Sequence, residues 1–192
     1  MKDYRRDFLH IGEFELTASR LRVSDPCYSP DVWCSGVLDA KPGTWEAAVL
    51  QFTNEQTGGW GVRNAIIAVK HADMKQQFDT DIINKTNGLN KPAGWHAALF
   101  EVGVDSGQAG FFDDARFKKH NGGDDESFYE KVCDITLSRM QAGVTDEGAV
   151  CNSGYGDGGY VCIFHNSNDE DGLVDFAYII FIVEYEDEEG VK

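Results

Sequence analysis

The sequence predicts a mainly β fold of the β-rich α+β class, an antiparallel sandwich or open barrel with one helix near residues 127–141. Short runs in which apolar and polar side chains alternate, the period of a half-buried strand, recur along most of the chain. Turns that contain glycine or proline separate these runs, and only one segment has helical spacing. We therefore expect a single globular domain over residues 1–185 and a frayed acidic tail over residues 186–192.

The first half of the chain contains the clearest strand patterns. Phe14 and Leu16 alternate with glutamates, and Leu21 and Val23 repeat this period before a turn at residues 25–26. The second turn residue is proline, which fixes its own φ and disfavours helix at the residue before it, so the strand pattern ends there. Further strands are predicted over residues 36–38, 45–52 and 62–69, and residues 71–94 are predicted to form a long polar loop.

The second half of the chain contains the one helical pattern. Ser127 and Glu130 have the spacing of a capping box, and apolar residues at helical spacing follow them. We therefore predict a helix over residues 128–140 that stops at Gly143. Before it, residues 96–104 are mostly apolar at consecutive positions, which predicts one strand buried on both faces. After it, a hairpin is predicted from strands over residues 159–165 and 173–185.

The charge of the chain restricts its partners. Its 17 Lys and Arg residues against 33 Asp and Glu residues give a formal net charge of -16 at pH 7. Such a charge repels phosphate backbones and anionic membranes at long range, so neither direct nucleic-acid binding nor membrane binding is expected. Either the charge serves solubility, or the acids form rows that mimic DNA or cap a basic protein partner.

Nothing in the sequence points to a membrane or to a secretory route. No stretch of about 18 apolar residues occurs, and the charged first residues are not followed by the apolar region of a signal peptide. The sequence therefore predicts a cytoplasmic protein, in which the five unpaired cysteines are thiols.

The first glycine-punctuated segment follows residues 96–104 directly. In it, Asp105, Ser106 and Gln108 surround Gly107, and we interpret these three polar side chains as ligand-binding. A carboxylate just past a strand, on a loop whose glycine lets backbone amides point inward, is a common way to hold a metal ion or a polar ligand. The alternative is a tight turn in which Asp105 accepts backbone hydrogen bonds and the glycine supplies a positive φ.

The second glycine-punctuated segment spans residues 153–160 and contains four glycines in eight residues. Ordering so many glycines costs backbone entropy, which either a ligand in close contact with the backbone or a bulged entry into a hairpin must repay. We expect Ser153, Tyr155, Asp157 and Tyr160 to contact a small polar ligand, with the two tyrosines stacked on a flat group such as a nucleobase.

Three carboxylates supply a possible metal site. Asp105, Asp113 and Asp157 would together suit a divalent cation, Mg²⁺ or Ca²⁺, if the fold brings them to one cleft. A metal held in this way could activate water, so a metal-dependent hydrolase of the phosphodiesterase kind is the alternative to a binding protein. Whether the protein is an enzyme stays open on the sequence alone.

One cysteine has two interpretations. Cys27 is a candidate nucleophile if His96 or His165 lies beside it in the fold. Otherwise Asp25 and Pro26 form a turn, and Cys27 is a small, largely buried residue. The sequence context favours the turn.

Several blocks of the sequence resemble a family of uncharacterised proteins from bacteriophages and bacterial genomes. They include Val-Ser-Asp-Pro-Cys-Tyr at 23–28, Val-Asp-Ser-Gly-Gln-Ala-Gly at 104–110 and Ser-Gly-Tyr-Gly-Asp-Gly at 153–158, and the resemblance extends over residues 20–183. It implies a small accessory role in the cytoplasm of a host cell. Binding a nucleotide-type signal to counter host defence, or binding a host protein, would be roles of this kind.

Overall fold

The structure is a computed structural model that describes residues 8–82, 92–118, 125–167 and 172–183. Two antiparallel sheets form the described part of the chain. The first sheet has the order β1 (Leu9–Leu16), β4 (Gly43–Phe52), β5 (Arg63–His71), β12 (Val174–Ile180), β11 (Gly158–Asn166) and β6 (Trp95–Ala97), with β7 (Val102–Val104) paired to the start of β11. The second sheet has the order β3 (Gly36–Asp39), β2 (Arg20–Ser24), β8 (Gln108–Asp113), β10 (Gly148–Asn152) and β9 (Ala142–Thr145).

The main hydrophobic core lies between the two sheets. Trp45 and Ile67 contribute to it from the first sheet, and Phe111 and Cys151 from the second, all fully buried. Side chains of both sheets thus meet face to face, so the architecture is a sandwich, one of the two that the sequence predicts.

A helix and a loop cover the outer faces of the sandwich. Helix α1 (Asp125–Thr136) packs Phe128 and Val132 against Phe112 and Val150, which point outward from the second sheet. On the first sheet, the polar segment after β5 folds back so that the Phe78 ring lies 5.3 Å from the ring of Phe176. The described residues of the predicted long loop over residues 71–94 therefore cover this sheet. Residues 83–91 of that loop lie outside the part of the chain that the structure describes.

Two strand predictions need correction. Residues 96–104 form two short strands, β6 and β7, which pair with different parts of β11, and Leu99 between them is exposed. The apolar run is therefore not buried on both faces. Residues 108–113, for which the sequence pattern predicts no strand, form β8, the central strand of the second sheet. Because β8 faces the core on one side and α1 on the other, all six of its residues are buried and no alternation marks it.

The helix prediction has the right location but the wrong ends. Helix α1 begins two residues before Ser127, so Ser127 lies inside the helix rather than at its cap. It ends at Thr136, where the Leu137 and Ser138 backbone amides still bond back to the last turn. Gln141 then takes a left-handed φ of 56°, which reverses the chain, and Gly143 lies in β9 instead of stopping the helix. The acidic tail over residues 186–192 lies outside the described residues.

No helix in the described part of the chain is long and apolar enough to cross a membrane.

Buried thiol and phenol groups predict alkaline destabilisation. Burial raises the pKa of Cys151, Cys162 and Tyr178 above the ordinary values of 9.0 for cysteine and 10.0 for tyrosine. Above these values the unfolded chain gives up protons that the folded chain keeps, so stability is full below about pH 9 and declines as the pH rises further. We expect urea unfolding between pH 9 and 11 to show this decline. Cys162→Ala should make the decline of the unfolding free energy with pH shallower by about 1.4 kcal/mol per pH unit. Equal slopes in the variant and the unmodified protein would contradict the assignment of this part of the decline to Cys162.

Candidate functional site

A buried carboxylate organises the first glycine-punctuated segment. Asp25 is fully buried, and its side chain accepts hydrogen bonds from the backbone amides of Cys27 at 2.7 Å, Asp105 at 2.9 Å and Ser106 at 2.8 Å. The Ser106 hydroxyl donates a fourth hydrogen bond at 2.6 Å. One carboxylate therefore ties the loop after β2 to the loop after β7, and it determines where the neighbouring polar side chains point.

The sequence interpretation of Asp25 was incomplete. The predicted turn is present, because the Tyr28 amide donates to the Asp25 carbonyl at 3.2 Å. What the sequence does not reveal is that the side-chain partners of Asp25 lie 80 and 81 positions later. One signal pointed to such partners. Asp25 directly follows β2, which is buried from its second residue onward. A carboxylate buried at that position needs several hydrogen-bond donors.

The two glycine-punctuated segments converge. The Ser153 amide donates to the Gly107 carbonyl at 2.9 Å, which joins them directly. Next to this contact, β7 pairs with the start of β11, where Gly158 lies opposite Val104. Residues 105–107 form a ridge between two grooves. Asp105 lines one groove, and Ser106 lines the other.

On one side of the ridge lies an acidic groove of about 360 Å³. Asp105 and Asp157 line it together with a third carboxylate, Glu101, beside the exposed indole of Trp33. The Glu101 carboxylate lies directly against the Gly159 backbone, where a Cβ atom would overlap it. Three carboxylates in one groove attract cations and repel anions.

A neutral phenol lies at the edge of the acidic groove. Burial raises the pKa of Tyr28, and the neighbouring Cys34 and Asp105 raise it further. The phenol therefore keeps its proton and adds no negative charge to the three carboxylates of the groove.

The three proposed metal ligands do not share a site. Asp113 ends β8, and five strand steps separate it from Gln108 at the other end, a distance of about 17 Å. Its buried carboxylate accepts hydrogen bonds from the backbone amides of Thr17 at 3.0 Å and Ala115 at 2.9 Å, so it closes a turn. Among the residues that the structure describes, no group of three or more His, Cys, Asp or Glu side chains could hold a metal ion. The set proposed for a metal-dependent hydrolase is therefore not assembled.

On the other side of the ridge lies a polar pocket of about 450 Å³, which we call the Arg63 pocket. It forms where the starts of β5 and β8, the end of β10 and the C-terminal end of α1 meet. The polar side chains that line it are those of Arg63, Ser106, Gln108, Tyr129, Cys133, Thr136, Ser138, Gln141 and Asn152.

The electrostatics of this pocket differ from those of the acidic groove. Arg63 is the one charged side chain among the described residues that line it, and its Nε atom is buried without a hydrogen-bond partner. Burial raises the pKa of Tyr129, with Cys133 contributing, so this phenol stays neutral. The pocket therefore combines one cation with neutral hydrogen-bonding groups.

Hydrogen bonds between its own side chains hold the pocket walls in place. The Asn64 amide group donates to Asn152 Oδ1 at 2.7 Å and to the Gln141 carbonyl at 2.9 Å, and Asn152 Nδ2 donates to Gln141 Oε1 at 2.6 Å. On the opposite wall, the Thr136 hydroxyl donates to Gln108 Oε1 at 2.9 Å. Such networks fix side-chain orientations before any ligand arrives.

The two tyrosines of the second segment, both predicted to stack on a ligand, lie in different environments. The Tyr160 hydroxyl donates to the carbonyls of Gly156 at 2.6 Å and Ser153 at 3.1 Å, so Tyr160 holds the loop. The buried Ser153 also supports this loop, because its hydroxyl donates to the Gly156 carbonyl at 2.8 Å. Tyr155 is exposed, and its aromatic neighbour is Trp60, at a centroid distance of 6.2 Å and an interplanar angle of 75°.

The structure does not support Cys27 as a nucleophile. Burial and the neighbouring Asp25 carboxylate raise the pKa of its thiol to about 12, so the reactive thiolate is scarce at neutral pH. Each candidate base has a different partner: His165 Nδ1 lies 2.7 Å from Asp175 Oδ1, and His96 packs on Phe164. All five cysteines are free, as the spacing predicts.

Comparisons with protein-family models, with curated proteins and with solved structures found no match to this chain. The functional argument therefore depends on the geometry of the two grooves. The resemblance to bacteriophage and bacterial proteins stays a prediction.

Proposed function

We propose that this protein is a binding protein that takes a small anionic ligand into the Arg63 pocket. The observation that carries the proposal is the guanidinium of Arg63, whose buried Nε has no partner in a pocket otherwise lined by neutral groups. A buried donor left without a partner costs free energy, and a cation among neutral groups attracts an anion to the terminal nitrogens of the same guanidinium. A guanidinium also matches the geometry of a carboxylate or phosphate group with two parallel hydrogen bonds.

The distribution of charge favours this pocket over the acidic groove. With a net charge of -16, most of the surface repels an anion at long range. Glu101, Asp105 and Asp157 make the groove on the far side of the ridge the least favourable place for it. In the Arg63 pocket no lining carboxylate competes for the guanidinium among the described residues, and partial burial strengthens its attraction for a ligand.

The remaining lining side chains define the polar character of the ligand. Ser106 and Gln108, which the sequence suggested as binding residues, line this pocket together with Gln141 and Asn152. Hydroxyl and amide groups both donate and accept hydrogen bonds, so they suit a ligand with several hydroxyl or carbonyl groups. The volume of about 450 Å³ lies in the range of small-molecule sites. A sugar phosphate has both features, an anion and a ring of hydroxyl groups.

This function agrees with the small accessory role that the resemblance implies. A protein that sequesters a phosphorylated signal needs a pocket that holds the signal, and the Arg63 pocket is proposed for that role. Action against host defence in a host cytoplasm stays a prediction.

Titration with ribose 5-phosphate tests the proposal. We expect saturable binding by calorimetry and a rise in the thermal unfolding midpoint, because a ligand that binds only the folded state stabilises it. Arg63→Gln should weaken binding at least tenfold, since a hydrogen bond to a charged group contributes about 1.5–3 kcal/mol.

The matched control is Arg139→Gln, which removes the same charge from an exposed residue that does not line the pocket. This variant should bind within about twofold of the unmodified protein, because exposed charges are screened. Absence of binding to the unmodified protein, or equal loss in both variants, would refute the proposed site.

A further inference from the structure

We propose that the ligand of the Arg63 pocket is a nucleotide, whose base stacks on the exposed indole of Trp60 beside Tyr155 while its phosphate binds Arg63. This inference rests on the proposed function and names the class of its ligand. Three observations carry it: an exposed aromatic pair, the rigidity of the loop that presents it, and its place next to the pocket.

Both rings of the aromatic pair are exposed to solvent. The Trp60 side chain is 68 % exposed and that of Tyr155 is 56 % exposed, although the two rings contact each other edge to face. They come from loops more than ninety positions apart in the sequence, so the fold brings them together. Exposed aromatic faces that are not covered by the chain itself are typical of stacking surfaces for bases.

The loop that presents Trp60 is held by its own hydrogen bonds. The Gly61 amide donates to Asn54 Oδ1 at 2.8 Å, and the Thr57 hydroxyl donates to the Gly61 carbonyl at 2.7 Å. The Gly59 amide also donates to the Asn54 carbonyl at 2.8 Å. Trp60 therefore lies on a turn that is bonded on both sides, so little conformational freedom is lost when a base stacks on it.

The aromatic pair lies close to the Arg63 pocket along both chains. Trp60 precedes Arg63 by three residues, and Tyr155 follows Asn152 by three residues. Three residues span at most about 11 Å of chain, and both Arg63 and Asn152 line the pocket. A phosphate at Arg63 and a ring on Trp60 can therefore belong to one molecule, with a sugar between them.

The neutral lining explains how such a ligand would be held between its two ends. Gln141 and Asn152 present amide groups, which pair with the donor and acceptor edges of a base or with sugar hydroxyls. Ser106 and Ser138 add hydroxyl groups on the other walls. An inorganic anion would use the cation alone, whereas a nucleotide would also contact the neutral side chains of the pocket wall.

Three ligands separate the parts of this proposal: adenosine 5′-monophosphate, ribose 5-phosphate and adenosine. In the unmodified protein, the nucleotide should bind at least tenfold more tightly than ribose 5-phosphate, since stacking of one base on an aromatic side chain changes affinity by about this factor or more. It should also quench tryptophan fluorescence. Trp60→Ala should remove both the affinity difference and most of the quenching.

The matched control is Trp33→Ala, which removes another exposed indole, 84 % exposed, from the acidic groove on the far side of the ridge. This variant should keep the tenfold difference and the quenching. Both tryptophans are exposed, so both variants should keep the thermal unfolding midpoint of the unmodified protein.

The outcomes separate the two proposals. If the nucleotide and ribose 5-phosphate bind equally, or if Trp60→Ala leaves their difference unchanged, the nucleotide assignment is overturned and the anionic site stands. If adenosine binds as tightly as the nucleotide and Arg63→Gln has no effect, the anionic site is overturned. If none of the three binds, both proposals fail.

Discussion

Replacing Asp25 by alanine should lower the free energy of unfolding by about 3–5 kcal/mol, because hydrogen bonds to a buried charged group contribute about 1.5–3 kcal/mol each and several are lost together. The carboxylate accepts four hydrogen bonds, three of them from backbone amides that belong to two separate loops. Without it, Asp105 and Ser106 lose the acceptor that positions them. The measurement is urea denaturation at neutral pH, followed by fluorescence and circular dichroism.

Two further variants make this expectation specific. Asp25→Asn keeps the size of the side chain but turns one acceptor into a donor that faces amide donors, so it should also destabilise, by about 2–3 kcal/mol. Ser106→Ala removes only the hydroxyl donor and should cost about 1 kcal/mol. If Asp25→Ala changes stability by less than the serine variant, the carboxylate does not organise the segment.

The same variants connect stability to the binding site. The ridge over residues 105–107 forms a wall of the Arg63 pocket, and Asp25 holds its first two residues. We expect Asp25→Asn to weaken ribose 5-phosphate binding under conditions where the variant remains folded. The reason is geometric, since Asp25 itself does not line the pocket.

Replacing Phe128 by alanine should destabilise the protein by about 3–5 kcal/mol, the usual cost of truncating a buried phenylalanine. Phe128 is almost completely buried, and its ring lies 5.8 Å from that of Phe112 and 5.5 Å from that of Phe117. These three rings are the main attachment of α1 to the second sheet. Thermal and urea unfolding measure the loss, and the far-ultraviolet spectrum reports whether the helix survives.

Leu137→Ala is the matched control for this prediction. Leu137 follows directly after α1 and is 84 % exposed, so its truncation should change stability by less than about 0.5 kcal/mol. If the two variants lose the same stability, the aromatic cluster does not anchor the helix. Because Thr136 and Ser138 line the Arg63 pocket, loss of helix docking should also reduce ligand binding.

The strands that face water on one side were the predictable ones. In β1 the glutamates at positions 13 and 15 face outward while Phe14 and Leu16 enter the core, so the pattern predicts both the strand and its orientation. In β8, by contrast, Phe111 enters the core and Phe112 packs under α1. Because layers of the protein cover β8 on both sides, its side chains do not alternate between apolar and polar, and the sequence predicts no strand there.

The candidate site was predictable only in part. The sequence suggested that the two glycine-punctuated segments act together, and the hydrogen bond from Ser153 to Gly107 shows that they converge. It also selected Asp113, which lies at the other end of β8, because a sequence pattern does not show which end of a strand faces a cleft. Neither Arg63 nor Trp60 was selected, since nothing in their local sequence marks them as neighbours of either segment.

The sequence by itself determined the class of fold, the antiparallel hairpin of β11 and β12, the single helix among the described residues and the two segments where backbone freedom is concentrated. These properties depend on the period of side chains along one strand or helix and on the conformational range of glycine, which are local. The tertiary structure alone decided that Asp25 holds a loop 80 positions away and that one ridge separates an acidic groove from the Arg63 pocket. Such contacts depend on how two sheets and a helix pack together, and packing is a property of the whole chain.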